Sequence, residues 1–124
     1  MSQTIAITVS NLIFQSRVRA AALDLGLDVA YADMPATFAA AIEHRPALVV
    51  VDLKELNLDP IDAVARAKAA GAAVLAFGPH TDAETLRAAR TAGADLAVPR
   101  SRFKAELPDL LRSLASAAAD AATP

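Results

Sequence analysis

Ala47-Leu48-Val49-Val50-Val51-Asp52 is an apolar run closed by a single acid. A strand with one wet face alternates apolar and polar side chains, whereas a run that is apolar throughout belongs to a strand covered on both faces. A second such run, Ala72-Ala73-Val74-Leu75-Ala76-Phe77, follows further along the chain, and shorter β-rich runs stand at Ile5–Val9, Leu27–Tyr31 and Asp95–Val98.

Segments of helical period separate these runs. Val18, Ala21, Ala22 and Leu25 form one stripe, closed by Gly26 where a helix end favours a left-handed residue. Met34–His44 is the second, with Pro35 in its first turn. Ile61, Val64 and Ala65 line the third, between Pro60 and Gly71; Ala83, Leu86 and Ala89 or Arg90 line the fourth, ended by Gly93. Phe103, Leu107, Leu110, Leu111 and Leu114 make the clearest stripe, and Pro108 is expected in the first turn of that helix. Strict alternation of strand and helix predicts an α/β fold with a doubly wound parallel sheet and right-handed crossovers. One domain is expected over residues 1–118, with a low-complexity, frayed or disordered tail over 119–124.

The 124 residues are 55% hydrophobic and 21% charged, enough to build a core. Alanine fills about a quarter of the positions, so that core is leaner than the percentage implies. Twelve Lys+Arg against 14 Asp+Glu leave a charge of −2, which argues against a nucleic-acid surface. The chain has no cysteine, which excludes disulfides, thiolate catalysis and Cys-built metal sites. His44 and His80 are too isolated for a histidine metal site. No apolar run is long enough to span a membrane, and Met1-Ser2-Gln3-Thr4 lacks the start of an export signal, so a cytoplasmic location is expected.

Open α/β sheets bind ligands beyond the carboxyl ends of their strands. The residues there are Ser10 and Asn11 after strand one, Asp52, Leu53 and Lys54 after strand three, Gly78, Pro79 and His80 after strand four, and Pro99, Arg100 and Ser101 after strand five. Asp52 is the only carboxylate legible at that edge. Ser10 and Asn11 are ordinary helix-capping types, and Gly78 suits a turn.

Val49-Val50-Val51-Asp52-Leu53 followed by Asp59-Pro60-Ile61-Asp62, the lead-in Glu43-His44-Arg45-Pro46-Ala47-Leu48, and Ala88-Ala89-Arg90-Thr91-Ala92-Gly93-Ala94-Asp95 resemble response-regulator receiver domains of the CheY-like family. The resemblance covers Thr4 to Ala115 and implies a flavodoxin-like (βα)5 fold with strand order 2-1-3-4-5 and Asp52 at the phosphoacceptor position. It also shows departures. The acidic pair that holds magnesium in the family falls on Val9 and Ser10, or on Ser10 and Asn11, and neither choice supplies a carboxylate. The hydroxyl residue after strand four falls on Gly78, the lysine after strand five on Arg100, and the switching aromatic on Ala97.

Magnesium needs anionic oxygen ligands, so its binding is expected to be weak or absent, and no other cofactor is implied. The expected function is that of a degenerate receiver, or pseudo-receiver. It would act without enzymatic activity, through protein contacts with a sensor kinase or an output protein rather than through metal-dependent aspartyl phosphorylation. The helix four–strand five–helix five surface, with Arg87, Arg90, Asp95, Asp109 and Arg112, is the expected docking or homodimer face. Two alternatives stay open: a phosphorylatable receiver using Asp52, and a module binding a small phosphate-bearing ligand through Thr8–Asn11 and Arg100.

Overall fold

The computed structural model describes residues 3–122, with side chains as far as Ala118. The elements are β1 (Thr4–Ile7), α1 (Leu12–Asp24), β2 (Asp28–Tyr31), α2 (Pro35–Glu43), β3 (Leu48–Asp52), α3 (Pro60–Ala69), β4 (Ala73–Gly78), α4 (Ala83–Ala92), β5 (Leu96–Pro99) and α5 (Arg100–Ala122). All strand pairs are parallel and the order is β2-β1-β3-β4-β5. This is the doubly wound sheet that the alternation predicts.

The two uninterrupted apolar runs become β3 and β4, at the interior of the sheet, and their side chains divide between two cores. Ile5, Ile7, Leu48, Val50, Leu75, Phe77 and Val98 meet α1 and α5, while Ala6, Val49, Val51, Val74, Ala76 and Ala97 meet α2, α3 and α4. Bulk therefore lies on the two-helix face, and the alanines let three helices sit close on the other. At Gly93, where α4 ends with φ +119°, an added Cβ would lie 2.8 Å from Lys68 Cγ, so backbone shape and close packing both require glycine.

Two expectations about the last helix change. β5 passes into α5 at Pro99–Arg100 with no loop, so α5 starts before its apolar stripe does. Pro108 is consequently interior rather than in the first turn. It is exposed, so the carbonyl it leaves unpaired one turn earlier opens to solvent. At its other end α5 continues through Ala122, and residues 123–124 of the expected tail lie outside the described residues.

Candidate functional site at the carboxyl edge

The ends of β1 and β3 and the start of α5 border an open cleft of about 440 Å³ lined by Ser10, Asn11, Asp52, Lys54, Glu55, Leu56, Asn57 and Arg100. A larger hollow of about 710 Å³ lies at the opposite, amino end of the strands, against Arg45, Lys68 and Asp95. The carboxyl edge is where the topology reverses and where the sequence places its chemistry.

Asp52 ends β3 as a buried residue. Its Oδ1 accepts the Lys54 backbone N–H at 2.9 Å, closing a tight turn at the strand end. Thr8, also buried, fixes the neighbouring backbone: its hydroxyl donates to the Val50 carbonyl at 3.1 Å, and its Oγ1 lies 3.4 Å from the Asp52 amide. Burial pushes the Asp52 carboxyl above the usual range, and the nearby Glu55 charge adds to that; the Lys54 amide and the Arg100 guanidinium pull the other way.

Glu55 is the residue that inspection of the sequence missed. It is buried, and its carboxylate turns back across the cleft to the β1–α1 loop. Oε2 accepts the Ser10 N–H at 2.9 Å and Oε1 accepts the Ser10 hydroxyl at 3.0 Å. Oε1 also accepts the Leu56 and Asn57 amides, at 3.2 and 3.4 Å. Asp52 is therefore not the only carboxylate at the edge. The second comes from the β3–α3 loop rather than from the end of β1.

Lys54 reaches the other way. Its ammonium pairs with Asp82 Oδ2 at 3.0 Å, and Asp82 caps α4 by accepting the Thr85 N–H and hydroxyl. These contacts, the Lys54 bond first, hold the Asp82 carboxyl below its usual range. Adjacent residues of one loop thus tie β3 to the β1–α1 loop on one side and to the start of α4 on the other.

The remaining residues fall as follows. Val9, one of the positions on which the family's acidic pair falls and so expected to border the pocket, is instead fully buried in the α1/α5 core and does not line the cleft. Asn11 caps α1, its Oδ1 accepting the Ile13 and Phe14 amides. Gly78 is buried under Leu53; an added Cβ would sit 3.4 Å from Leu53 Cβ, so the position holds hydrocarbon where the family resemblance implies a hydroxyl. Arg100 lies over the Phe14 ring, Cζ 5.7 Å from the centroid, and makes no ion pair with Asp52 among the described residues.

The five residues expected on the docking face are differently engaged. Asp95 faces α3 and β4, pairing with Lys68 at 3.1 Å and accepting the Val74 amide at 2.7 Å. Arg90 donates to the Ala97 carbonyl at 2.6 Å. Asp109 and Arg112 pair with each other at 2.8 Å. Arg87 is exposed and has no hydrogen bond or ion pair among the described residues.

Solved structures share this fold. A CheY-like receiver domain protein from Methanospirillum hungatei JF-1 superposes with a TM-score of 0.82 at 15% identity, covering 97% of this chain and 98% of that one. The fold is that of response-regulator receiver domains. The signal receiver domain of a DNA-binding response regulator from Colwellia psychrerythraea 34H gives 0.80 at 16% identity, over 93% of this chain and 99% of that one. The receiver domain of NtrX from Brucella abortus gives 0.75 at 24% identity, over 90% and 96%. No family model and no curated protein matches the sequence.

Asp52 offers a direct test of the electrostatics. A carboxyl whose pKa rises on folding binds its proton more tightly in the folded state, so its contribution to stability falls as pH climbs from the ordinary 3.8 through the raised value. Asn in its place keeps an oxygen for the Lys54 amide and removes the charge. Asp52→Asn is expected to melt above the parent chain at neutral pH, the gap closing as pH falls toward 3.8. Asp82, with its lowered pKa, acts with the opposite sign: its stabilisation is present above the ordinary value and is lost as pH falls. It is common to both proteins, so the difference between their melting curves isolates Asp52.

Proposed function

We propose that this chain is a degenerate receiver module that signals through protein contacts rather than by a magnesium-dependent phosphoaspartate switch. The observation that carries the reading is Glu55. Its carboxylate is committed to four donors from Ser10, Leu56 and Asn57.

The donors around Asp52 do not suit a magnesium ion. Ser10 gives its hydroxyl proton to Glu55, Asn11 Oδ1 is occupied by two amides, and Arg100 brings a positive charge to the same cleft. A hard dication needs several free anionic or carbonyl oxygens, and Asp52 Oδ2 alone is a poor set. Phosphoryl transfer depends on fixed cations and metal charge around the transferring group, so its stabilisation here is reduced. The small phosphate-ligand alternative is disfavoured by two carboxylates in the cleft.

The reading extends to a cytoplasmic protein whose partner is a sensor kinase or an output protein. Of the five residues expected on the helix four–strand five–helix five face, Arg87 is the one with no hydrogen bond or ion pair among the described residues, which leaves its charge for a contact, including self-association. The test is incubation with magnesium and acetyl phosphate, followed by intact-mass analysis. No phosphoryl adduct is expected; stoichiometric, acid-labile phosphate on Asp52 would overturn the proposal and favour the phosphorylatable alternative.

A further inference from the structure

The sheet has two edges, and they are finished differently. At one, β5 is blunted: Arg90 donates to the Ala97 carbonyl at 2.6 Å, and Pro99 closes the strand without an N–H. At the other, β2 has neither device. The Asp28 amide donates to the Gln3 carbonyl at 2.9 Å, and the Ala32 amide to the Ile7 carbonyl at 2.8 Å. Every second residue of a strand turns both backbone groups to the same side, so Asp28, Ala30 and Ala32 bond to β1 while Val29 and Tyr31 turn theirs outward. Among the described residues, no hydrogen bond within the chain reaches those outward N–H and C=O groups.

Apolar side chains flank this open edge. Half of the large exposed hydrophobic residues among the described ones lie on β2 or in the turns that enter and leave it: Leu23 in the last turn of α1, Tyr31 on the strand, and Met34 at the cap of α2. An edge carrying a branched and an aromatic residue, with no lysine and no proline, is a template for another strand. A second copy of β2 fits it. Set antiparallel about a twofold axis through Ala30, each Val29 stands opposite the partner's Tyr31, and each such pair exchanges two N–H···O bonds. All the outward backbone groups are then satisfied. Val29 and Tyr31 share one face of the sheet, so the same register sets branched against aromatic side chains there, while small Ala30 meets its own copy on the other face. Asp28 falls opposite the partner's Ala32, so no carboxylate directly faces another.

We infer that this chain forms a homodimer through β2, which pairs antiparallel with β2 of a second copy and joins two five-stranded sheets into one continuous sheet. A short ladder is marginal by its hydrogen bonds alone, and the flanking Leu23, Tyr31 and Met34 supply the apolar area beside it. The dimer leaves the helix four–strand five–helix five face open to a different partner. It does not depend on the contact-based function proposed above: phosphate on Asp52 would sink that reading without touching this one.

Tyr31 is the one tyrosine of a chain without tryptophan, so its fluorescence reports on the pairing directly. The test is sedimentation of the full chain over a concentration series reaching the millimolar range, with Tyr31 emission and amide exchange followed in parallel. A reversible monomer–dimer equilibrium is expected, with emission changing along the same curve and the Val29 and Tyr31 amides becoming protected as the dimer fills. Tyr31→Pro removes an outward N–H from each copy without taking a bond from β1, and should raise the dissociation constant about tenfold or more. Tyr31→Lys keeps the backbone intact, puts a charge on the edge and should weaken the dimer as well, which decides the matter if the proline variant fails to fold. Arg87→Glu should leave the equilibrium unchanged. A monomer at every concentration, or a dimer indifferent to the Tyr31 variants, would overturn the inference. So would a dimer dissolved by Arg87→Glu with the Val29 and Tyr31 amides unprotected, which would assign self-association to the other face. Protection of those amides only on addition of an extended peptide of another sequence would assign the edge to a foreign strand and overturn the second copy.

Discussion

Phe77→Ala is expected to lower unfolding stability by about 3–5 kcal/mol, the range for emptying a buried aromatic site in a packed core. Phe77 is fully buried on β4 and touches two other rings, with centroids 3.9 Å from Phe103 and 5.5 Å from Phe14. Phe14 and Phe103 meet edge to face at 5.9 Å, so the three rings close a cluster joining β4, α1 and α5. Three of the four phenylalanines meet in this cluster, so removing the middle ring strips packing from both of the others and the cost belongs near the upper end. Urea unfolding measures it, and a loss below ~1 kcal/mol would contradict this packing. The effect reaches the site as well. The Phe77 carbonyl accepts the Leu53 amide at 2.9 Å, at the start of the loop that carries Lys54 and Glu55, and Arg100 rests on Phe14. Phe77→Leu keeps most of the volume and should cost less than about 1.5 kcal/mol.

The contrast between this cluster and the cleft shows what a sequence discloses. β3 and β4 were legible because a strand covered on both faces must be apolar at every position, and only these two runs are. The helix ends at Gly26, Gly71 and Gly93 were legible because each takes a positive φ, at 74°, 89° and 119°. The limits of β1 were less so. Thr8 and Val9 remain buried beyond the last ladder pair at Ile7, and burial rather than pairing is what the apolar pattern records. The start of α5 was hidden because its first turn, Arg100-Ser101-Arg102, is polar while the stripe begins at Phe103. Asp52 and Arg100 were placed at the edge by topology alone.

Glu55 was not legible for a different reason. In Asp52-Leu53-Lys54-Glu55-Leu56-Asn57 nothing local distinguishes one solvated loop charge from another. The partner that buries Glu55, Ser10, lies 45 residues away. Only after the sheet brings the ends of β1 and β3 together does the loop have amides to which a carboxylate can turn. The same folding explains why Lys54, its neighbour, becomes an ion-pair partner of Asp82 rather than a ligand in the cleft.

Removing that carboxylate should loosen the edge more than the core. Glu55→Ala leaves the Ser10 N–H and hydroxyl and the Leu56 and Asn57 amides without their shared acceptor. Ser10, Leu56 and Asn57 are themselves exposed, so water replaces part of what is lost, and the expected cost is about 1–3 kcal/mol rather than the sum of four charge-assisted bonds. Amide exchange separates this from a global effect. The Ser10 amide should exchange far faster in the variant under native conditions, while amides of β3 and β4 slow down exchange as before, shifted only by the change in overall stability. Glu55→Gln should be intermediate, because its carbonyl oxygen replaces one acceptor but its amide group presents donors to the Ser10 N–H or hydroxyl. The Asp52 carboxyl should titrate lower in both variants, since one cause of its raised pKa is the Glu55 charge. Unchanged Ser10 exchange and an unchanged Asp52 titration in Glu55→Ala would mean that this side chain neither ties the two loops nor sets the charge of the cleft, and the proposal of a committed carboxylate in place of a metal would lose its support.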